Sequence, residues 1–231
     1  MSSIIDPDFG EITIRRSALS RNISIRVAPN GKLRASMPAY AGIGSLKRMI
    51  NASRADIAKL MTQQKTHAPL REGMTIGKSH TLIVKNGPSL AARLTKSQLE
   101  VTLPVTMSLE DPEVEAYLTP HLIKALRQEA KAYLPRRLEY LAQQHGFTYE
   151  SARFSHASSR WGSCSSRGTI SLNIALMKLP FELIDYVIYH ELSHLKNMNH
   201  STAFWSLVES LDPYYREHRR TLKTHNPSAY I

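Results

Sequence analysis

His190-Glu191-Leu192-Ser193-His194-Leu195-Lys196-Asn197-Met198-Asn199-His200 gathers three histidines and one glutamate into a single short stretch. On a helix, residues four apart stand one above the other, so His190 and His194 can share one metal ion while Glu191 projects beside them toward an activated water. That supplies two ligands and a base for a hydrolytic zinc site. His200 lies ten positions after His190, too far along a straight helix to join them, so the chain has to leave the helix after His194 and fold back. Asn197 suits that exit, because asparagine tolerates the left-handed conformation that ends helices. Glycine has this task in the extended HExxHxxGxxH motif, whose histidine spacing is the same. His200 is therefore the expected third ligand.

A bare HExxH pattern also arises by chance on surface helices, so the surrounding residues decide its weight. Leu183, Ile184, Val187, Ile188, Leu192 and Leu195 recur at helical spacing and predict a helix held against a core. Histidines carried on such a helix need partners. Zinc satisfies one nitrogen of each neutral ring and leaves the other for a hydrogen bond.

The chain has 231 residues, 42% of them hydrophobic, enough for one large domain or two small ones with an adequate core. No run approaches the roughly 20 apolar residues of a membrane helix, and Met1-Ser2-Ser3-Ile4-Ile5-Asp6 lacks the basic and apolar regions of a secretory signal, so a cytoplasmic location is expected. Cys164 is the only cysteine, which excludes an intrachain disulfide and thiolate zinc sites and leaves His and carboxylate as ligands. The formal charge of +11 and a pI near 9.8 favour polyanions, nucleic acid or nucleotides among them. The basic residues are spread along the chain, however, and form no nucleic-acid motif.

Periodicity outlines an α+β chain. Residues 11–38 alternate like strands, as in Ile23 to Val27 and Leu33 to Met37, with a hairpin turn at Pro29-Asn30-Gly31. Leu46, Met49, Ile50, Ile57, Leu60 and Met61 fit one helix from Ile43 to about Gln64. Short strands are expected at His80–Lys85, Ala91–Thr95 and Gln98–Leu103. Pro104 to Pro112 marks a boundary, dividing a β-rich part with one helix, 1–108, from a catalytic region, 109–231. The second part opens with a long helix, Glu113 to about Gln144, bent near Pro120 and Pro135. Strands at Tyr149–His156 and Thr169–Ile174 flank a polar loop, Ser158 to Gly168. Pro180 opens the histidine helix, Ser201 can cap another to about Ser210, and Asp212-Pro213 can open a last one to Lys223.

Two blocks carry a likeness that HExxH alone does not. One is Ser159-Arg160-Trp161-Gly162-Ser163-Cys164-Ser165 with Ile170-Ser171-Leu172-Asn173 behind it; the other runs from Pro180 through Asp185-Tyr186-Val187, the histidine motif, Asn199-His200-Ser201 and Phe204-Trp205. They resemble the YgjP-like family of zinc metallopeptidase domains, related to the SprT and WLM groups of zincin-like proteases. The resemblance implies a zincin-like catalytic region with an active-site helix behind a β-rich N-terminal part, and one zinc ion per chain on His190, His194 and His200. Metzincins with this ligand spacing carry a methionine turn, and no methionine follows Met198, which argues against that group. A gluzincin-type third ligand could come only from Glu209 or Glu217.

Within the first block, Trp161 reads as packing and Cys164 as a small loop residue, since no base for a thiol is evident. Zincins pair an extended substrate with an edge strand beside the metal, and Thr169 to Ile174 is the candidate strand. Arg160 could hold a substrate carboxylate or phosphate, or pair with an internal acid. Asn173 and Tyr214 join Arg160 as candidate substrate-binding residues. His156, His218, His225 and Tyr215 flank the site in sequence and offer oxyanion donors or simple packing.

The expected chemistry is peptide hydrolysis of a peptide or protein substrate, with Glu191 taking the proton of metal-activated water as it attacks the carbonyl and later protonating the leaving amine. Two other classes compete. One is a metal-dependent nucleotide phosphohydrolase of the pyrophosphatase type, disfavoured by the absence of a phosphate-cradling loop or a carboxylate cluster for magnesium. The other is a basic nucleic-acid-associated module with a structural zinc. No membrane partner is expected.

Overall fold

Ile12 and Ile14, and likewise Leu33, Ala35 and Met37, sit two residues apart and so point to one face of a sheet, where all five are buried. They belong to strands β2 (Gly10–Ser17) and β4 (Leu33–Pro38), which with β1 (Ser2–Asp6) and β3 (Ser24–Val27) form a sheet of order β1-β2-β4-β3. β2 and β4 are parallel and the other pairs antiparallel. The computed structural model describes residues 2–28, 32–64 and 69–227, so the turn at Pro29-Asn30-Gly31 lies outside the described residues. Asp6 accepts the amides of Asp8 and Phe9, and Gly10, at φ +68°, completes the reversal into β2. Arg54 clasps Asp6 through both guanidinium nitrogens at 3.0 Å, bonds Asp8, and lies over the Phe9 ring.

The single helix expected from Ile43 to Gln64 is two: α1 (Ile43–Ala52) and α2 (Arg54–Gln64). Ser53 ends the first, its amide bonded to Met49, and its carbonyl starts the second by accepting from Ile57. The apolar face continues across the break, since Leu46, Ile50 and Ile57 share one cluster with the sheet, which is why periodicity alone cannot see it.

The chain divides into two compact units, residues 1–67 and 68–231, so the boundary expected after residue 108 is displaced. Strands β5 (Thr81–Asn86), β6 (Ala91–Leu94) and β7 (Gln98–Leu103) form a sheet of order β5-β7-β6 that belongs to the second unit. Their Leu82, Leu99 and Val101 pack in one core with Leu118, Leu126 and Leu134 of helix α3 (Pro112–Gln144). The proline-bounded stretch before α3 is a pair of tight turns, Met107 to Pro104 and Asp111 to Ser108, and not a linker. α3 runs through both Pro120 and Pro135 as a single helix.

The rest of this unit follows: β8 (Ser151–Ser155), β9 (Gly162–Cys164), β10 (Thr169–Asn173), a 3-10 turn at Ile174–Lys178, and helices α4 (Phe181–Ser193), α5 (Thr202–Leu211) and α6 (Tyr215–Thr224). The third sheet has the order β8-β10-β9, with β8 parallel and β9 antiparallel to β10. β2-β4-β3, β5-β7-β6 and β8-β10-β9 share this arrangement, a first strand parallel to a third whose other side takes the second as a hairpin. The result is a mixed α+β architecture in which, among the described residues, no helix is long and apolar enough to cross a membrane.

One buried polar cluster fixes the approach to α4. Glu129, 5% exposed on α3, accepts the amides of Lys78, Ser79 and His80 and the His80 ring at 2.7 Å. Burial pushes its carboxyl up, but these hydrogen bonds outweigh that and hold it below its ordinary value. Gly77 permits the approach, since a side chain there would overlap the Glu129 carboxylate. Lys78 in turn bonds the carbonyl of Leu179 and covers the Phe181 ring, tying this loop to the start of α4.

Candidate metal centre

α4 begins after Pro180, which caps it, and its buried face is Leu183, Ile184, Val187, Ile188 and Leu192, as the spacing predicts. His190 and Glu191 lie in its last turn, and His194 follows as the C-cap with φ −66°. Asn197 does not supply the expected left-handed exit; among the described residues no non-glycine has positive φ. The helix instead tightens, with Leu195 bonding Leu192 and Lys196 bonding Ser193, before the chain turns to His200. Asn197 has another task. Its carbonyl, 3.1 Å from His194 Nδ1, accepts that ring's N–H and leaves Nε2 as the lone-pair nitrogen.

His200 is returned by α5. Ser201 caps that helix by accepting the Phe204 amide, and Phe204 and Trp205 pack against the histidines. The Phe204 ring, fully buried, lies 5.0, 4.5 and 4.8 Å from the rings of His190, His194 and His200. Trp205 stacks on His200 at 5.4 Å and 20°. One nitrogen from each of the three imidazoles then falls within 4.8 Å of the others, and His190 Nε2 lies 3.1 Å from His200 Nε2.

The three residues fit a metal ion. Two nitrogens bound tetrahedrally at Zn–N lengths stand about 3.3 Å apart, close to the His190 to His200 separation. Burial, reinforced by the neighbouring His194, His200 and Arg219, drives His190 down to about 3, and burial also lowers His194. At neutral pH both are therefore neutral imidazoles, the form that ligates. His190 Nδ1 is buried without a hydrogen-bond partner among the described residues. Of the carboxylates considered as a third ligand, Glu209 pairs with Arg216 at 3.1 Å, and neither it nor Glu217 belongs to the cluster.

Glu191 is 5% exposed, and its Oε2 has no hydrogen-bond partner among the described residues. Burial pushes its carboxyl up to about 8, with Arg160 pulling the other way. It lies directly against β9: a Cβ built on Gly162 would meet Glu191 Oε1 at 2.5 Å and Cδ at 2.8 Å. This corrects the expected substrate strand. β10 is enclosed between β8 and β9, so the sheet edge beside Glu191 is β9. Three residues of glycine, serine and cysteine inside a polar loop carry almost no strand signal, and the close approach of Gly162 has no sequence signature at all.

The remaining candidates separate clearly. Arg160 is exposed and lines a cavity with Gly162 and Ser163. Asn173 is 1% exposed; its Nδ2 donates to the carbonyls of Ala157 and Arg160, and its Oδ1 accepts from Ala175, so it is scaffold for the loop that carries Arg160. Tyr214 is 70% exposed at the start of α6, and Tyr215 is buried against Trp205. Trp161 is buried in the core as expected, and burial pushes the half-buried Cys164 thiol up, away from reactivity. Unsignalled by spacing is the pair of His218 and buried Asp212, Nδ1 to Oδ2 at 2.7 Å.

A mixed α+β chain whose three convergent imidazoles could hold a metal ion, beside a buried glutamate, has the donor set that metal-dependent hydrolases use. The chain belongs to the YgjP-like metallopeptidase domain family, whose model matches residues 21–225. Among solved structures, the metallopeptidase zymogen abylysin of Pyrococcus abyssi is similar at 29% identity, covering 39% of this chain and 91% of that one with a TM-score of 0.36. Comparison with curated proteins returns no match.

Proposed function

We propose that the chain is a zinc-dependent metallopeptidase of the zincin type, cytoplasmic, with His190, His194 and His200 holding one zinc and Glu191 acting as general base. The observation that carries this reading is the convergence of three imidazole nitrogens within 4.8 Å, next in sequence to a buried carboxyl oxygen that has no hydrogen-bond partner among the described residues. When bound, zinc supplies a Lewis acid that polarises a carbonyl and acidifies water.

The chain's own residues do the rest. His194 is oriented by Asn197, His200 by Trp205, and Phe204 sets the spacing of all three rings. The free edge of β9 offers backbone groups to an extended substrate, with Gly162 letting that strand lie against Glu191. The Glu191 carboxyl is raised by burial, an effect that a cation held by the neighbouring histidines would oppose, favouring the ionised form; in that form it takes a proton from the attacking water and returns it to the leaving amine. Arg160, in the cavity lining and without a salt-bridge partner among the described residues, is the group placed to bind substrate charge.

Zinc content tests the reading directly. The expectation is about one zinc per chain, lost in His200→Ala and kept in Glu191→Gln, with turnover of peptides falling by roughly 10²- to 10⁴-fold in the latter. Full turnover in Glu191→Gln would remove it as the base.

A further inference from the structure

A cavity of about 150 Å³ opens beside β9, lined among others by Ser155, Arg160, Gly162, Ser163, Ser171 and Asn173. Its position follows from Gly162, which forms part of its wall and at the same time touches the Glu191 carboxyl. Whatever fills the cavity is therefore one residue's breadth from the proposed base. Its chemistry is polar: Ser155 Oγ and Ser171 Oγ face each other at 3.3 Å, and Arg160 is the one charged residue in the lining.

Arg160 is placed without being used. The rim that carries it is anchored from beneath, because buried Asn173 donates to the carbonyls of Ala157 and Arg160 at 2.7 and 2.8 Å. Among the described residues no carboxylate forms a salt bridge with its guanidinium, whereas Arg54, Arg137 and Arg216 all have such partners. Its charge nevertheless reaches Glu191. A fixed backbone that sets Arg160, without a salt-bridge partner among the described residues, in the wall of a small hydroxyl-lined cavity suits a planar anion, since the guanidinium fork matches a carboxylate in bidentate fashion. The cavity has room for a short acidic side chain, and the guanidinium and hydroxyls of its lining, more than its size, favour an anion over an apolar group.

We propose that this cavity is a substrate subsite that takes a carboxylate of the peptide, paired with Arg160, immediately beside the scissile bond. The identity of the ligand rests on the peptidase reading above; the carboxylate chemistry rests on the cavity. Two sources carry that group, an Asp or Glu side chain and the C-terminal carboxylate of a peptide. The first makes the enzyme selective for acidic positions within a chain, the second for chain ends.

Calorimetric binding to full-length, zinc-loaded Glu191→Gln decides it without turnover. The probes are short neutral amidated peptides carrying one Glu at each position in turn, their Gln counterparts, and the neutral peptide with a free C-terminal carboxylate. The expected result is roughly 10-fold tighter binding of one carboxylate-bearing probe than of its neutral counterpart, the margin expected of charge-assisted hydrogen bonds. That margin collapses to about onefold when Arg160→Gln is added and is partly kept by Arg160→Lys. A preferred internal Glu identifies the side-chain source, and a preferred free terminus the chain-end source. Equal binding of all pairs, no binding of any probe, or a preference that survives Arg160→Gln overturns the proposal. Cleavage by the parent enzyme is scored separately. Carboxylate-selective binding without cleavage of any peptide keeps the subsite and defeats the peptidase reading, and cleavage without carboxylate preference does the reverse.

Discussion

Gly162→Ala adds one methyl group and should silence the enzyme while barely touching the fold. The new Cβ would stand 2.5 Å from Glu191 Oε1, 2.7 Å from Cγ and 2.8 Å from Cδ, where ordinary contact begins at 3.4 Å. The carboxylate must therefore retreat by roughly 0.9 Å, and misplacement on this scale costs about 10²-fold in rate. The obstructing atoms are the end of a side chain with three rotatable bonds, so relief comes from swinging Glu191 and not from moving β9. The stability cost then sits at the low end of overpacking penalties, about 1 kcal/mol. The three nearest atoms that the new Cβ would meet all belong to Glu191 and none to a proposed ligand, so metal content should be unchanged.

A double-mutant cycle in chemical denaturation isolates the contact. If Gly162 is glycine because Glu191 needs the space, then Gly162→Ala should be destabilising in the parent and close to neutral in a Glu191→Ala background. Peptide turnover and metal stoichiometry are measured on the same preparations. Turnover of Gly162→Ala within twofold of the parent, or an equal stability loss in both backgrounds, would refute the reasoning, because either result means that Glu191 has somewhere harmless to go.

The other expectations concern the ligands and the scaffold. His200→Ala should lose the metal while Glu209→Ala keeps it, measured as metal per chain after dialysis; the opposite pattern would move the third ligand to α5. Ser201→Ala should cost about 1 kcal/mol in denaturant unfolding by removing the α5 cap, and should weaken metal retention because the cap adjoins His200. Glu129, held below its ordinary value of 4.5 when folded, contributes stability that is present above that value and is lost as pH falls through the lower folded one. Glu129→Gln should thus lower stability at neutral pH, by about 3 kcal/mol, and flatten the acid side of the stability profile below pH 4.5; a parallel profile would show that the carboxylate is not the titrating group.

The ligand helix was legible because its signal is redundant: apolar spacing, the His190 to His194 interval and the start at Pro180 all point to the same element. Strands β5 to β7 and the long α3 were legible for the same reason. What failed were features in which a local pattern admits two three-dimensional outcomes. The apolar stripe of α1 and α2 runs across Ser53 as though one helix continued, and the proline-bounded stretch before α3 reads equally as linker or as turns. The spacing shared with the glycine-containing motif suggests a left-handed exit at Asn197, whereas a tightened last turn leads toward His200 and the Asn197 carbonyl accepts from His194. β9 was missed because a three-residue edge is defined by its neighbours and not by its own side chains.

The proposed metal site also shows why the residues after it matter as much as the proposed ligands themselves. Of the three imidazoles, His194 has a backbone carbonyl behind it, but His190 Nδ1 is buried without a hydrogen-bond partner among the described residues and His200 is exposed. Their orientation is set mainly by shape. Phe204 touches all three rings, and Trp205 presses on His200 while itself stacked on Tyr215 at 5.7 Å and covered by Arg219 at 4.2 Å. Such a stack fixes a ring only while α5 and α6 are docked on α4, so ligand geometry and helix docking are one equilibrium. A bound ion that needs all three rings in place must then stabilise the docked helices by its own binding free energy, and anything that loosens α5 must loosen the metal.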